Sequence, residues 1–348
     1  MPVIPDGLPP ILAIESSCDD TAAAVWVDGA LASSVIASQR VHEGFGGVVP
    51  ELASRAHERL AVPTVQAALD EAGIGLDDVG AVAVTYGPGL AGSLLVGLSL
   101  AKGIAVGRGL PLVGVNHLEG HVYSVFVGEP RPPLPFLCLT VSGGHTLLTL
   151  VREGFVHQEL GRTRDDAAGE AFDKTARLLG LGYPGGPHVD KLAAGGDPTF
   201  LDLPSPRLGA RHGPRPLFDV SFSGIKTAVR YALAELDDAG REALLRDHLA
   251  DVCASFQATV VDALVGALGD AVRQTGVRAV AIVGGVSANR GLRAAAADAA
   301  ARDGWELFVP ELSVSVDNAA MIAVTAAFKL AAGEASALDL GAEPALRL

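Results

Sequence analysis

The chain has 348 residues, 49% hydrophobic and 19% charged, which is long enough for two cores and too apolar for a disordered protein. A net charge of −14 argues against a protein that grips nucleic acid unaided over a wide surface, since such binding is driven by neutralising phosphates; a local basic patch or a basic partner stays open. Cys18, Cys138 and Cys253, odd in number and far apart, point to buried thiols in a reduced, cytoplasmic protein. No cationic segment precedes an apolar core at the N-terminus, and the most apolar stretch (90–106) is cut by Gly92, Gly97, Lys102 and Gly103, so neither a signal peptide nor a membrane span is expected.

In chain order, residues 1–10 form a proline-containing lead-in, and apolar runs predict strands at 11–16, 22–27 and 30–38. Pro50, at a favoured first helical position, opens a helix over 51–60 that Pro63 is expected to kink or restart before 64–72. A strand at 81–86, a helix at 91–106, a strand at 111–115 and a helix at 117–127 follow. After a Pro-rich junction (129–135) the order recurs with strands at 136–142, 146–152 and 155–161 and a helix at 167–181. Helices at 188–194, 224–236 and 241–275 (the last broken) lead to a strand at 278–283, a helix at 290–301, a strand at 305–309 and a helix at 318–332. Three strands, then alternating helix and strand, twice over, predict an α/β protein of two related domains facing a cleft.

Two turns occupy equivalent places in this repeat, Ser16-Ser17-Cys18-Asp19-Asp20 and Ser142-Gly143-Gly144-His145. Each alone is compatible with an ordinary hairpin. Paired across a duplicated fold, small turns whose N–H groups can approach phosphate oxygens are the plan of the actin, hexokinase and Hsp70 superfamily.

His117 and His121 stand four residues apart, so on a helix both imidazoles lie on one face and can reach a single metal ion; two helix-surface histidines are the plain alternative. In a zinc-protease helix a glutamate directly follows the first histidine. Here Leu118 takes that place and Glu119 is displaced by about 100° around the helix, which weakens the protease reading. Asp317 is either the N-cap of the last helix or a third ligand; two imidazoles and a carboxylate suit Zn²⁺ or Fe²⁺ and leave positions open for substrate oxygens. Gly284 and Gly285 let the backbone lie against an adenosine, with Asn289 as a hydrogen-bond partner or simply as a helix cap. Asp173 could bind ribose hydroxyls or a substrate amine, or be an ordinary surface acid. Tyr183-Pro184-Gly185-Gly186-Pro187-His188 reads as a backbone wall against a ligand.

The segments IESSCDDTAAAV, HEGFGGVVPELASRAHERL, YGPGLAGSLLVGLSLAKGIA, NHLEGH, VSGGHT, DDAAGEAFDKTARLLGLGYPGGP, SFSGIKTA, GGVSANRGLR and SVDNAAMIA stand in that order over about residues 11–332. In them the chain resembles the bacterial tRNA adenosine threonylcarbamoyltransferases, the TsaD (formerly Gcp) family. The resemblance implies two actin/hexokinase/Hsp70-like domains around a central cleft, divided as 1–131 joined by a C-terminal helix (about 313–348), and 132–312 with a helical insertion. It implies transfer of a threonylcarbamoyl group from threonylcarbamoyl-AMP to N6 of adenosine 37 in tRNAs reading codons that begin with A. His117, His121 and Asp317 become ligands of one divalent metal per subunit, Fe²⁺ or Zn²⁺, with Mg²⁺ also admitted. Thr140, Val141, Ser142, Gly143 and Gly144 line the nucleotide or carboxylate side, Asp173, Gly186 and Asp190 contact the substrate, and Asn289 holds the adenosine. Glu15 and Asp19 are the acidic candidates for catalysis. Partners implied are tRNA, a TsaB-like paralogue on a helical face of the first domain, a TsaE-like ATPase and a separate synthase that supplies the adenylate, with no membrane.

The chemistry agrees with such a site. A mixed carbamic–phosphoric anhydride needs its carbonyl polarised and its leaving group stabilised, and the conjugated N6 amine is a poor nucleophile that needs positioning and a proton acceptor. A sugar or acetate kinase of the same superfamily has no use for the histidine pair, and a non-catalytic scaffold has no need of all three ligands. Ser16, Gly182, Val220 and Val316 depart from the family's usual Thr, Asp, Phe and Thr. Arg207, Arg211, His212 and Arg215, with Arg40, Arg55 and Arg59, are the basic groups expected to face tRNA.

Overall fold

The computed structural model describes residues 7–39, 42, 45, 47–208 and 218–348. The chain divides into two units, Met1–Arg131 with Pro310–Leu348, and Pro132–Val309.

The first unit is built on a five-stranded sheet of β1 (Ile11–Glu15), β2 (Asp20–Val27), β3 (Ala30–Ser38), β4 (Ala81–Gly87) and β5 (Leu112–Asn116), in the order β3-β2-β1-β4-β5. Strand β1 is antiparallel to β2 and parallel to β4, and it is buried along its whole length, as a central strand covered on both faces must be. Leu12 and Ile14 join a core with α1 (Pro50–Ala72) and α2 (Ala91–Arg108). Strand alternation sends Ile11, Ala13 and Glu15 to the opposite face. There the almost wholly buried helix α10 (Ala319–Ala331) packs against β1, β2 and β3. The one polar side chain on that face of β1, Glu15, is thereby aimed at the region between α10 and α3 (His117–Tyr123).

The second unit repeats this plan. Strands β6 (Phe136–Val141), β7 (Thr146–Arg152), β8 (Val156–Arg162), β9 (Ala279–Val283) and β10 (Glu306–Phe308) run in the order β10-β9-β6-β7-β8. Again the first strand is antiparallel to the second and parallel to the fourth. Helices α4 (Ala168–Leu178), α5 (Gly185–Ala193), α6 (Ser223–Ala234), α7 (Asp238–Asp247), α8 (Leu249–Thr275) and α9 (Arg290–Asp303) cover it, with Phe172, Phe222 and Phe256 in the core. The duplication read from element order is therefore a duplication of strand order and direction.

Several local expectations change. Pro63 does not restart α1, which runs as one helix from Pro50 to Ala72. Pro63 lies on the exposed face, where the carbonyl it leaves without an N–H partner can bond water, while Thr64 Oγ1 donates to the Leu60 carbonyl (2.8 Å). The predicted helix 117–127 stops at Tyr123 and tightens into a 3-10 turn, Ser124–Phe126. The helix expected over 167–181 ends at Leu178, with Gly180 left-handed just beyond it. By length and hydropathy α2 and α8 could each cross a bilayer, contrary to the reading of 90–106 as too short, but most of α8's apolar length is buried in its own unit.

Candidate active site

Helix α3 leaves β5 at Asn116, whose side-chain oxygen accepts from Leu118 N (2.8 Å) and caps the helix. Gly120 lets α3 lie close on α10: a Cβ there would sit 2.9 Å from Ile322 Cδ1. This fixes two buried imidazoles, His117 and His121, at a ring separation of 4.7 Å. Asp317 arrives from the start of α10. Asn318 caps that helix, accepting from Met321 N (2.9 Å), so the capping role weighed for Asp317 belongs to its neighbour. Asp317 Oδ1 lies 3.1 Å from His121 Nε2 and 3.5 Å from His117 Nε2, and the three potential ligand atoms are within 4.8 Å of one another. Bonds of about 2.1 Å in a tetrahedral site separate neighbouring ligand atoms by about 3.4 Å, so the cluster has the dimensions of a divalent-metal site.

The layer behind the two histidines is unequal. His117 Nδ1 is 3.2 Å from Glu15 Oε2 and 3.1 Å from Ser17 Oγ. A carboxylate only accepts, so Nδ1 carries the hydrogen and Nε2 faces Asp317. Glu15 is 0% exposed and also accepts from Ser17 N (2.5 Å) and Thr85 Oγ1 (2.5 Å). Burial alone would lower the His117 pKa, but the nearby charges of Asp317 and Glu15 outweigh it and raise it to about 9. Burial pushes the Glu15 pKa up, and the opposing pull of His117 leaves it below the ordinary carboxylate value. His121 Nδ1, in contrast, has no hydrogen-bond partner among the described residues.

Asp19 is half-buried in the turn between β1 and β2. Burial first, then Asp19 and Asp317, push the Cys18 thiol up, so it stays protonated. The turn is held by His57, which the sequence reading did not single out: Thr21 Oγ1 donates to its Nδ1 (2.7 Å) and its Nε2–H donates to the Cys18 carbonyl (3.0 Å). Burial lowers the His57 pKa, consistent with this neutral, doubly bonded ring. Neither His57 nor Thr85 has a spacing pattern that marks it; only the chain's folding brings them to the turn and to Glu15.

The remaining residues singled out lie in the second unit. Ser142 closes its hairpin turn through Ser142 N to the His145 carbonyl (2.8 Å) and His145 N to Ser142 Oγ (3.1 Å), leaving Gly143 and Gly144 exposed. Thr140 and Val141 are fully buried in β6. Two other turns press on this hairpin. Gly169, at the start of α4, has room for no side chain, since a Cβ would come within 2.7 Å of the Ser142 carbonyl. Gly284, at φ 88°, would bring a Cβ to 2.4 Å from the Val141 carbonyl. Three backbone turns thus gather at the C-terminal ends of β6 and β9, the usual ligand-binding end of a parallel pair.

Asn289 caps α9, accepting from Leu292 N (2.8 Å), and donates to Gln257 Oε1 (2.7 Å), which leaves its amide one further donor and acceptor position. Asp173 accepts from Gly185 N (2.7 Å) and so holds the PGG turn on α4, while Gly186 faces open space. Asp190 is paired with Arg290 (2.7 Å) and accepts from its backbone N–H (3.2 Å), tying α5 to the start of α9. Of the basic groups, Arg207 is paired with Asp270 and Arg55 with Glu51, while Arg59 is exposed on α1. Arg40, Arg211, His212 and Arg215 lie outside the described residues.

Residues 30–324 match the family model for TsaD, tRNA N6-adenosine threonylcarbamoyltransferase. The chain is 58% identical over 339 residues to the tRNA N6-adenosine threonylcarbamoyltransferase of Salinibacter ruber, covering 97% of this chain and 99% of that protein. It is 50% identical over 336 residues to the enzyme of the same name from a Geobacter species, covering 96% and 95%. Among solved structures it is similar to full-length HypF in its phosphate- and nucleotide-bound form (TM-score 0.61, 11% identity, 95% of this chain and 47% of that one). It is also similar to the activator of the 2-hydroxyisocaproyl-CoA dehydratase from Clostridium difficile with bound ADPNP (TM-score 0.51, 13% identity, 94% and 99%). At these identities the two structures speak to the fold alone, the actin/hexokinase-like one.

Proposed function

The chain belongs to the TsaD family of tRNA N6-adenosine threonylcarbamoyltransferases, and from that premise we propose that it transfers threonylcarbamoyl from threonylcarbamoyl-AMP to N6 of adenosine 37 in tRNAs reading codons that begin with A. The observation that carries the reading is the His117–His121–Asp317 group, two buried imidazoles and a half-buried carboxylate whose ligand atoms lie within 4.8 Å. In it the two neutral nitrogens and one carboxylate hold a single divalent cation, Fe²⁺ or Zn²⁺ in preference to Mg²⁺, because imidazole favours the borderline metals. Such a cation, when bound, supplies Lewis acidity and orientation to the donor's oxygens.

The chain's own groups do the rest. The exposed Gly143 and Gly144 turn, backed by Gly169 and Gly284, receives the adenylate phosphate through backbone N–H groups. Asn289 uses its remaining amide positions on the adenosine, and Asp173 and Gly186 border the donor. Asp190 is committed to Arg290 and supports the site from behind. Glu15 orients His117: with no exposed surface and with its oxygens engaged by Ser17, Thr85 and His117, it is poorly placed to accept a proton from substrate. Asp19, half-buried in the adjoining turn, is the better carboxylate to take the N6 proton.

The same reading includes partners. A TsaB-like paralogue fits the face of α2, where Leu95 and Val106 are 53% and 62% exposed and Gly103 and Gly107 allow close helix approach. A TsaE-like ATPase, a separate synthase for the adenylate, and a cytoplasmic location complete it. The test combines protein, partners, metal, threonylcarbamoyl-AMP and unmodified tRNA, with nucleoside mass spectrometry as readout. Modified adenosine is expected with wild type and not with His117→Ala; equal product from both overturns the assignment.

A further inference from the structure

Residues beyond α10 run back along the sheet of the first unit. Ser336 N donates to the Leu112 carbonyl (2.7 Å) and Gly114 N donates to Ser336 Oγ (2.9 Å), so the segment covers the edge strand β5. Further on, Glu343 N donates to the Tyr86 carbonyl (2.8 Å) and Gly89 N to the Pro344 carbonyl (3.2 Å). The fit is close: a Cβ on Gly87 would lie 2.1 Å from the Glu343 carbonyl oxygen, and one on Gly114 2.6 Å from Leu340 Cδ2. At its far end Asn116 Nδ2 donates to the Arg347 carbonyl (2.8 Å).

Two routes lead from this segment to one imidazole. Asn116, held by Arg347, is the residue whose oxygen caps α3 one position before His117. The turn at 87–90, held by residues 343 and 344, in turn bonds the other side of the metal cluster: Leu90 N donates to the Ser17 carbonyl (2.8 Å), and Ser17 touches His117 Nδ1. We propose that residues 336–347 form a strap that positions His117, with Asn116 as the positioning residue through which it acts on the metal-binding geometry. The proposal rests on the reading of His117 as a metal ligand and adds to it what sets the ring's orientation. Leu340 and Ala342 pack the middle of the strap against the core of the unit, whereas its contact with Asn116 is a single hydrogen bond from the Asn116 amide to the Arg347 carbonyl, which can be removed without touching that packing.

The test uses Asn116→Ser, which keeps a capping hydroxyl but is too short to reach Arg347, and a chain lacking residues 346–348. Circular dichroism checks the fold. Each variant is expected to bind Co²⁺ about tenfold more weakly, as loss of a residue that orients a ligand does. Combined, they should lose no more than the truncation alone, because the Asn116–Arg347 bond is already absent from it. In the metal-free protein both should shift the His117 ring resonances, identified by their absence in His117→Ala, and leave those of the surface residue His248 in place. Wild-type affinity with unmoved His117 resonances in folded Asn116→Ser overturns the strap, as do additive losses. Co²⁺ binding that is equal in wild type and His117→Ala sinks the metal reading instead, and the strap is then decided by the metal-free resonances.

Discussion

At the scale of single residues, the two histidines are chemically unlike although the sequence presents them as a matched pair. His117 donates to a fully buried carboxylate, and His121 has nothing at Nδ1 among the described residues. Glu15→Gln keeps the shape and removes the charge; it is expected to weaken metal binding by about 10- to 100-fold, measured by competition with a chelating dye. An unchanged affinity would count against the orienting role. The His117 pKa, raised to about 9, gives a second expectation. In the metal-free protein the ring is protonated below that value and its Nε2 cannot bind a cation. Metal affinity should therefore rise with pH through neutrality and level off near 9, with a proton released on binding; calorimetry in buffers of different ionisation enthalpy measures that proton. A flat profile between pH 6.5 and 9 contradicts the sign. The spacing of His117 and His121 and the presence of Asp317 were legible in the chain; the inequality was not, because it depends on Glu15, Ser17 and Thr85 arriving from other strands and turns.

At the scale of elements, strands were read more securely than helix ends. The run at 146–152 is apolar, rich in leucine and threonine, and flanked by Gly143-Gly144 and Gly154, and β7 has those limits. Helix ends failed where a tertiary contact decides them. Gly185 starts α5 three residues ahead of the expected point because Asp173, from α4, accepts its N–H. Pro63 survives inside α1 because it faces outward. The turn after β9 shows what an element boundary costs when it is tight. Gly284 combines φ 88° with a backbone oxygen 2.4 Å from where its Cβ would be. Gly284→Ala should destabilise the protein by about 1–3 kcal/mol and weaken nucleotide binding, followed by urea denaturation and by titration with AMP. A variant as stable as wild type would show that the turn can relax away from Val141.

At the scale of the whole molecule, the repeat was visible as element order because the same sequence of strands and helices occurs twice, although few residues are shared beyond the two turns. What the order could not reveal is how the acidic chain meets RNA. Arg55 and Arg207, two of the basic residues expected to face it, are already paired with Glu51 and Asp270. The exposed apolar face of α2 points to protein association instead, and Leu95→Asp should abolish binding of a TsaB-like partner by size-exclusion chromatography without lowering the melting temperature. Retained complex would move the interface elsewhere.

His121 and Asp317 are 196 residues apart in sequence, and all of the second unit lies between them. On the ribosome, the histidines of α3 emerge long before their carboxylate partner exists. A nascent chain therefore cannot assemble the metal cluster until the second unit has been made and the start of α10 has followed it out. Completion of the cluster therefore waits on synthesis of the whole second unit, and a product terminated before Asp317 carries two imidazoles without their carboxylate.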